Sequence, residues 1–418
     1  MDHDVDAQAE NNGLPQPRLG DEYPAEQRRI MGAKLQRASR ILALCLGLGA
    51  TVLLASCERT DTVQSGYRGT GMQQVYEPAS VRAGMALNEV PAPEPVDPPD
   101  PELPSVDETF ENVKVLNDLT VLEFSRLMQA LSTWVSPEEG CEFCHNAENL
   151  ASDEKYPKLV ARRMLQMTRQ INTEWKSHVG ETGVTCWTCH RGQAVPSGIW
   201  FANPGGASAQ QFIGNRTGQN RAGVGTVGNS SLPSDPLSAY LNDDNAIRVQ
   251  GTTALAGSNS HSIKQAEWSY GLMLYMSKSL GVNCTYCHNS RALASWNEST
   301  PQRVTAWYGI RMVRQLNVEY LNPIAELLPA HRMSASGDNP KVGCETCHKG
   351  SYKPLYGAKQ LPDYPELAGV MKRALTEGGP LMDVAVPLPK TGALPPLVSV
   401  SVDGPKDVEP AYLGLPLR

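Results

Sequence analysis

The strongest constraint on this chain is a short cysteine pattern that occurs four times. In each copy two residues separate a pair of cysteines and a histidine follows directly; the copies are Cys141–His145, Cys186–His190, Cys284–His288 and Cys344–His348. Cys-x-x-Cys-His is the attachment signal of c-type haem. The two thiols bond to the haem vinyl groups, and the adjacent histidine is placed to bind the iron. The sequence therefore predicts four covalently bound haem c groups.

Other uses of such cysteines explain the pattern less well. A single copy would also fit a redox dithiol or half of a zinc site. A zinc site leaves the unbroken Cys-Cys-His triples unexplained, and a disulfide framework does not need four histidines in register. The predicted thioether residues are Cys141, Cys144, Cys186, Cys189, Cys284, Cys287, Cys344 and Cys347. The predicted proximal iron ligands are His145, His190, His288 and His348.

Length and charge set broader limits. A chain of 418 residues is compatible with one large domain or two small ones. The net charge of −7 argues against nucleic-acid binding and allows the docking of a basic partner protein.

The N-terminal region has the pattern of an export signal. Basic residues precede an apolar run from Ile41 to Ser56, which is short for a membrane span of about 20 residues. The run ends in Leu54-Ala55-Ser56-Cys57, which resembles the bacterial lipobox and implies lipidation of Cys57. The alternative is an uncleaved anchor, in which residues 1–56 form a cytoplasmic tail and one tilted membrane helix. Both interpretations place the rest of the chain outside the cytoplasm.

Composition divides the chain into six segments around a mainly α fold. Residues 1–56 are predicted as a signal or membrane anchor, and residues 57–104 as an extended tether because of their closely spaced prolines. Two haem halves, each with two haems, are expected at 105–192 and 261–358. The remaining predictions are an irregular connection at 193–260, rich in Gly, Ser and Asn, and a proline-rich extended tail at 359–418.

A helix is predicted before each cysteine motif. The four helices run from the Thr120–Glu123 capping box to before Pro137, from about 157 to 175, from the Ser262–Gln265 capping box to near Gly281, and from Thr300 to before Pro323. The second and fourth contain an internal repeat, since Met167–Asn172 matches Met312–Asn317. The first and third share Glu-Phe-Ser against Glu-Trp-Ser. We therefore predict a duplicated unit built from helix–turn–CxxCH repeats.

The sixth ligand of each iron decides whether a haem transfers electrons or binds a substrate, and methionine and histidine are the candidates. Met128 and Met273 lie close enough before Cys141 and Cys284 for a helix and a short turn to fold back over their own haems. Met164 precedes its motif by a longer turn. A methionine on an apolar helix face is more often core, and Met167, Met276 and Met312 are interpreted that way.

The repeat is asymmetric at the fourth unit. Aligning Met167 with Met312 places Met164 opposite Gly309, so this unit lacks the methionine that the second unit has. Its haem needs a ligand from elsewhere. The histidines outside the motifs and the leader are His178, His261 and His331. His178 is the best placed, but spacing alone leaves the other two open.

Taken together, these residues resemble the tetrahaem cytochrome subunit of purple-bacterial photosynthetic reaction centres. The resemblance covers about 62–358 and includes Gln64–Met72, Gly183–Gly192 and Trp307–Arg314, besides the uneven spacing of the motifs. It implies methionine as the distal ligand of three haems, at Met128, Met164 and Met273, and histidine for the fourth, at His178. The long polar leader and the proline-rich tail depart from the family pattern.

The resemblance also implies a function. The chain would be an electron carrier on the periplasmic face of the photosynthetic membrane that re-reduces the photo-oxidised bacteriochlorophyll pair. Its partners would be the membrane subunits of the reaction centre and a soluble donor, either a c-type cytochrome or a high-potential iron–sulfur protein. The alternatives are a generic periplasmic multihaem conduit and a multihaem oxidoreductase with one open haem.

Overall fold

The computed structural model describes residues 25–55, 59–64, 66, 68–96, 103–203, 232–233, 235–249 and 263–368. The chain divides into two compact units, Met1–Arg59 and Thr60–Arg418. In the first unit, helix α1 spans Ala25–Ala55 and thus begins well before the predicted apolar run. Within the described residues, no helix combines the length and apolar character required to cross a membrane. Cys57 lies outside the described residues.

Residues 61–96 begin the second unit and correct the prediction of an extended tether. Strands β1 (Asp61–Gln64) and β2 (Gln73–Tyr76) form an antiparallel hairpin, and helix α2 (Pro78–Leu87) follows. The side-chain amide of Gln74 exchanges hydrogen bonds with Asn283, directly before Cys284. The Trp187 indole donates to the carbonyl of Glu89 at 2.9 Å. The proline pattern predicted only local stiffness and could not show these contacts with distant residues.

Within residues 105–192, the two longer helices agree with the predicted bounds. Helix α3 spans Val106–Thr109, α4 Val121–Val135, α5 Tyr156–Glu174, α6 Lys176–Val179 and α7 Cys186–His190. Helix α4 begins at the predicted capping box. The Thr120 hydroxyl accepts from the Glu123 N–H (3.3 Å), and the Glu123 carboxylate accepts from the Thr120 N–H (2.9 Å).

The second half has the same order of longer helices. Helix α8 spans Ile263–Leu280, α9 Pro301–Leu316 and α10 Cys344–His348. Helix α9 has proline in its first turn, as predicted, and continues into a π-helical turn at Asn317–Leu321. The bounds of the four predicted helices are thus confirmed to within a few residues, and the fold is mainly α. The predicted capping residue Ser262 lies outside the described residues.

Two clusters of buried side chains hold the compact unit Thr60–Arg418 together. The larger one joins both halves, because Ile171 of α5, Leu272 of α8 and Leu316 of α9 all belong to it. The smaller one contains Leu127 and Trp134 of α4.

Parts of the predicted connection and tail also belong to these clusters. Tyr240 and Leu241 lie in a π-helical turn, Ser238–Asn242, and are buried in the larger cluster. Tyr364 and Leu367 are buried in the smaller one. Residues 359–368 are therefore packed chain rather than the start of an extended tail, while 369–418 lie outside the described residues. The apolar residues of Ser238–Asn242 and of 359–368 belong to segments that are too short to give a periodic pattern in the sequence.

Candidate functional site

The first and third cysteine motifs have the same local fold. Each begins in a 3₁₀ turn, Gly140–Phe143 and Cys284–Tyr286. In each, the histidine backbone N–H donates to the carbonyl of the first cysteine at 3.0 Å. That cysteine is exposed, and the second is half-buried. Both motifs therefore lie near the surface.

The second and fourth motifs have a different fold. They form short α-helices, α7 and α10, which end at residues in the left-handed conformation: Arg191 (φ 52°) and Lys349 (φ 47°). The threonine inside each motif, Thr188 or Thr346, accepts a hydrogen bond from the backbone N–H just before the first cysteine. The four motifs thus fall into two structural pairs.

All four motif histidines are oriented by the same kind of hydrogen bond. In each, Nδ1 pairs with a backbone carbonyl a few residues later. The acceptors for His145, His190, His288 and His348 are the carbonyls of Leu150 (2.9 Å), Gln193 (2.8 Å), Leu293 (2.9 Å) and Ser351 (2.9 Å). Nε2 has no hydrogen bond within the described part of the chain. A carbonyl on one ring nitrogen fixes the tautomer and leaves the other nitrogen for a metal.

Burial keeps several of these imidazoles neutral. It lowers the pKa of His190 and of His288. Burial and the neighbouring His178 lower the pKa of His348 to about 4. The neutral imidazole is the form that binds a metal ion, so the donor set fits a haem iron.

His178 is held like a fifth motif histidine. Its Nδ1 lies 2.9 Å from the Thr305 carbonyl of α9, and burial lowers its pKa. Its ring centre lies 6.1 Å from that of His348, with an interplanar angle of 64°. Imidazole nitrogens bind metals at about 2 Å, so two rings on opposite sides of one ion have centres about 6 Å apart. The structure therefore brings His178 to the fourth motif at a spacing that fits one iron between them.

The other two candidate histidines do not share this environment. His331 is exposed in a 3₁₀ turn, Ala330–Arg332. His261 lies outside the described residues. Of the alternatives left open by the sequence, the described contacts favour His178.

The candidate methionines lie at the margins of the buried clusters. Met128 packs against the smaller cluster, and Met164 and Met273 against the larger one, all three partly buried. Met167 and Met312, interpreted as core, are 9% and 6% exposed. Met276, also interpreted as core, is partly buried against the larger cluster like the candidates. Burial therefore separates the three candidates from Met167 and Met312 but not from Met276.

Burial also affects the cysteines of the motifs. Burial raises the pKa of Cys186, Cys287 and Cys344 to about 12, so these groups are S–H at neutral pH. The sulfur atoms of Cys189 and Cys347 lie 2.6 Å apart. The second and fourth motifs therefore lie side by side.

The remaining contacts relate each motif to a neighbouring helix. Gly192, just after the second motif, donates its N–H to the Trp134 carbonyl near the end of α4 (2.8 Å). Gly350, just after the fourth motif, donates to the Ser279 carbonyl near the end of α8 (2.8 Å). Because α4 leads into the first motif and α8 into the third, the motifs follow one another in the spatial order one, two, four, three.

The sequence repeat ends in two asparagines whose structural role the sequence did not reveal. Asn172 and Asn317, the last residues of the repeat, are 1% and 0% exposed. The Asn172 side chain accepts from the Val184 N–H (2.7 Å) and donates to its carbonyl (2.9 Å). Asn317 makes the same two bonds to Val342, at 2.8 and 2.9 Å. Each asparagine therefore fixes the chain two residues before a cysteine motif; identical asparagines at the ends of both repeats were the available signal.

Most of the chain is similar to proteins of one known family. Residues 56–368 match the family described as "Photosynthetic reaction centre cytochrome C subunit". Three relatives are described as photosynthetic reaction center cytochrome c subunits. The one from Rubrivivax gelatinosus is 50% identical over 333 residues, covering 79% of this chain and 90% of the relative. The one from Thermochromatium tepidum is 47% identical, covering 80% and 83%. The one from Roseobacter denitrificans is 40% identical, covering 77% and 89%.

Proposed function

The chain belongs to the family of photosynthetic reaction centre cytochrome c subunits, and from this premise we propose that it carries four haem c groups between a soluble donor and the reaction centre. As a member, it is a membrane-associated electron carrier and not an enzyme, which decides against the multihaem oxidoreductase and the generic conduit. Bound haem c supplies an iron that accepts and releases one electron at a time. The proposal adds the number of haems, their ligands and the donor.

The observation that carries the proposal is the shared orientation of five imidazoles. His145, His190, His288 and His348 would hold the four irons from the proximal side. His178 would hold the fourth from the distal side, opposite His348. Met128, Met164 and Met273 would complete the other three, so that no iron keeps an open position. The eight motif cysteines would form the thioether bonds.

The arrangement of the motifs supports a linear relay. Contacts between neighbouring motifs give the order one, two, four, three, with the closely apposed second and fourth motifs in the middle. The paired motif folds and the paired asparagines support an origin of the haem region by duplication. In this proposal the halves 105–192 and 261–358 each hold two haems.

The position of the chain at the membrane is part of the proposal. The haem region would lie on the periplasmic face, where it meets the membrane subunits of the reaction centre and a soluble c-type cytochrome or high-potential iron–sulfur protein. Lipidation of Cys57 would provide the anchor, with each buried CH₂ contributing about 0.8 kcal/mol. N-terminal mass analysis of the purified complex tests this: a lipid-bearing Cys57 is expected, and a recovered peptide from Leu19–Arg28 would favour the uncleaved leader.

Two measurements test the relay itself. Mass spectrometry of the denatured protein should find four covalent haem additions, and fewer would contradict the assignment of the motifs. In isolated membranes, a flash should oxidise haem within microseconds as the electron passes to the photo-oxidised pigment. Absence of flash-induced haem oxidation would remove the proposed position between donor and reaction centre.

A further inference from the structure

A glycine in helix α9 lies against the imidazole of His178. If position 309 carried a Cβ atom, that atom would lie 2.5 Å from Cε1 of His178, 2.9 Å from Nδ1 and 3.1 Å from Nε2. Contacts below 3.0 Å are not compatible with atoms in place, so even an alanine would displace the ring. The space occupied by the imidazole therefore exists because residue 309 has no side chain.

The same helix also supplies the hydrogen bond that orients the ring. The Thr305 carbonyl lies one turn before Gly309 and accepts from Nδ1 of His178 at 2.9 Å. A carbonyl has two lone pairs, so it can serve the helix and the imidazole together. Glycine weakens a helix interior relative to alanine. Gly309 is nevertheless present in the buried part of α9, and its local role is clear. Gly309 provides the space for the His178 ring, and the Thr305 carbonyl orients that ring.

The repeat shows what occupies this place in the other half. Position 309 corresponds to Met164 of α5, where a side chain is present. In the second unit, helix α5 carries the thioether of Met164 at this position. In the fourth unit, helix α9 has no side chain at this position, and His178 of α6 packs against it. One position in the repeat therefore distinguishes the two arrangements.

We propose that Gly309 is a positioning residue that selects histidine as the distal ligand of the fourth haem. With glycine at 309, His178 reaches the face of α9 opposite His348; with any larger residue, the imidazole is excluded and the iron loses histidine as its sixth ligand. This inference rests on the ligand role proposed above for His178.

The experiment uses the full-length haem-loaded protein and carbon monoxide, which binds only to a reduced haem with an open position. Wild-type protein is expected to bind none. Gly309→Ala is expected to bind about one CO per protein and to lose the electron paramagnetic resonance signal of the bis-histidine haem. His178→Ala should bind about one as well, and the double variant should bind one and not two, because both changes open the same iron. Gly84→Ala is the matched control: its Cβ would meet only the movable Tyr356 hydroxyl, at 2.8 Å, and it should bind none.

The outcomes separate the two claims. If His178→Ala binds no CO, the ligand role of His178 is wrong. If His178→Ala binds CO but Gly309→Ala does not and keeps the bis-histidine signal, the role of Gly309 is wrong. Should Gly309→Ala fail to fold, the double variant decides: recovery of folding when the imidazole is removed supports the inference, and persistent failure contradicts it.

A gain of ligation provides the sharpest check. Gly309→Met combined with His178→Ala gives the fourth unit the pattern of the second. This variant is expected to show the sulfur-to-iron charge-transfer band of one additional His/Met haem and to bind no CO. A protein that stays open to CO would show that position 309 does not control which ligand reaches the iron.

Discussion

In both the second and the fourth unit of the haem repeat, a buried asparagine at or near the end of a long helix holds the backbone before a cysteine motif. The two asparagines differ in their third partner: Asn172 donates to the carbonyl of Leu367 (3.0 Å), and Asn317 to that of Leu241 (2.8 Å). We call the segment that supplies this third partner the cover. The cover of Asn172 follows the last motif, and the cover of Asn317 lies in the connection between the halves. The two units share what we call the frame, namely the two hydrogen bonds between the asparagine and the backbone before the motif. They differ in the cover and in the distal ligand.

This difference shows which parts of the unit are free to change. The frame consists of side chain to backbone bonds that must match the geometry of the motif. The cover needs only a carbonyl and an apolar side chain, and segments from different parts of the chain can supply these. The distal ligand can come from the helix itself or from a neighbour.

The largest expected effect comes from breaking the shared frame. Asn172→Ala leaves the Val184 N–H and two carbonyls without this partner. Asn317→Ala does the same to the Val342 N–H and the Leu241 carbonyl, whereas the Val342 carbonyl still accepts from the Trp200 indole at 2.8 Å. Each change should lower the free energy of unfolding by roughly 3–5 kcal/mol, with Asn317→Ala nearer the lower value. Denaturant titration of the two variants measures this. Thr173→Ala, at an exposed position beside Asn172, is the control and should cost less than about 0.5 kcal/mol. A cost below about 1 kcal/mol in only one half would show that the two frames are not equivalent.

Exchanging the ligand types tests the difference between the units. A thioether ligand raises the reduction potential relative to a second imidazole. Met164→His should therefore lower one redox step, and His178→Met should raise another. Each shift should be on the order of 0.1 V, within the range of about 0.8 V that axial ligands control. Spectroelectrochemical titration resolves the steps.

The other methionine-ligated haems extend this test. Met128→His and Met273→His should each lower one step in the same way, while Met167→Leu, a change in the core, should leave all steps in place. If Met273→His is silent, Met276 becomes the candidate. A silent Met128→His would show that this residue is only part of the core.

The sequence predicted the features that depend on local pattern. The Thr120–Glu123 box and the proline after Thr300 define helix starts, and the repeat revealed that Met164 has no counterpart at Gly309. The packing of the hairpin, of Tyr240 and of residues 359–368 could not be predicted. These short segments have no periodicity of their own, and their burial depends on partners far away in the chain. The asparagine bonds were missed for the same reason, since their partners lie beyond the repeat.

A smaller effect is expected from loosening the two covers. The Tyr364 hydroxyl accepts the Glu94 N–H at 2.9 Å, and the Tyr240 hydroxyl pairs with Ser269 at 3.0 Å. Tyr364→Phe and Tyr240→Phe keep the ring and lose one hydrogen bond, so each should cost about 1 kcal/mol. Hydrogen exchange should locate the loosening at residues 89–96 in the first variant and near α8 in the second. Spread of the loosening to the opposite half would contradict the view that the covers are independent.

The smallest effect concerns acid and the loop that orients His145. Partial burial raises the pKa of Asp153, but hydrogen bonds from Arg162 (2.9 Å) and Asn112 (2.9 Å) outweigh this and bring it to about 2. In the unfolded chain an aspartate has a pKa of about 3.9. The folded state thus binds fewer protons, and the stabilisation is fully present above pH about 4 and is lost as the pH falls towards 2. Asp153 is close to solvent, so the contribution should be at most about 1 kcal/mol.

Asp153→Asn measures this contribution directly. The difference in unfolding free energy between wild type and variant should be constant from about pH 7 to 5 and should shrink between about pH 4 and 2, within the window set by the two pKa values. Glu148→Gln, an exposed change in the same loop, is the control and should leave stability unchanged. The carbonyl that orients His145 accepts from Lys158, which pairs with Asp153 at 3.2 Å. In the third motif, no lysine contacts the equivalent Leu293 carbonyl within the described residues. Acid should therefore perturb the haem of the first motif before that of the third, and simultaneous loss of both spectra would show that Asp153 has no specific role.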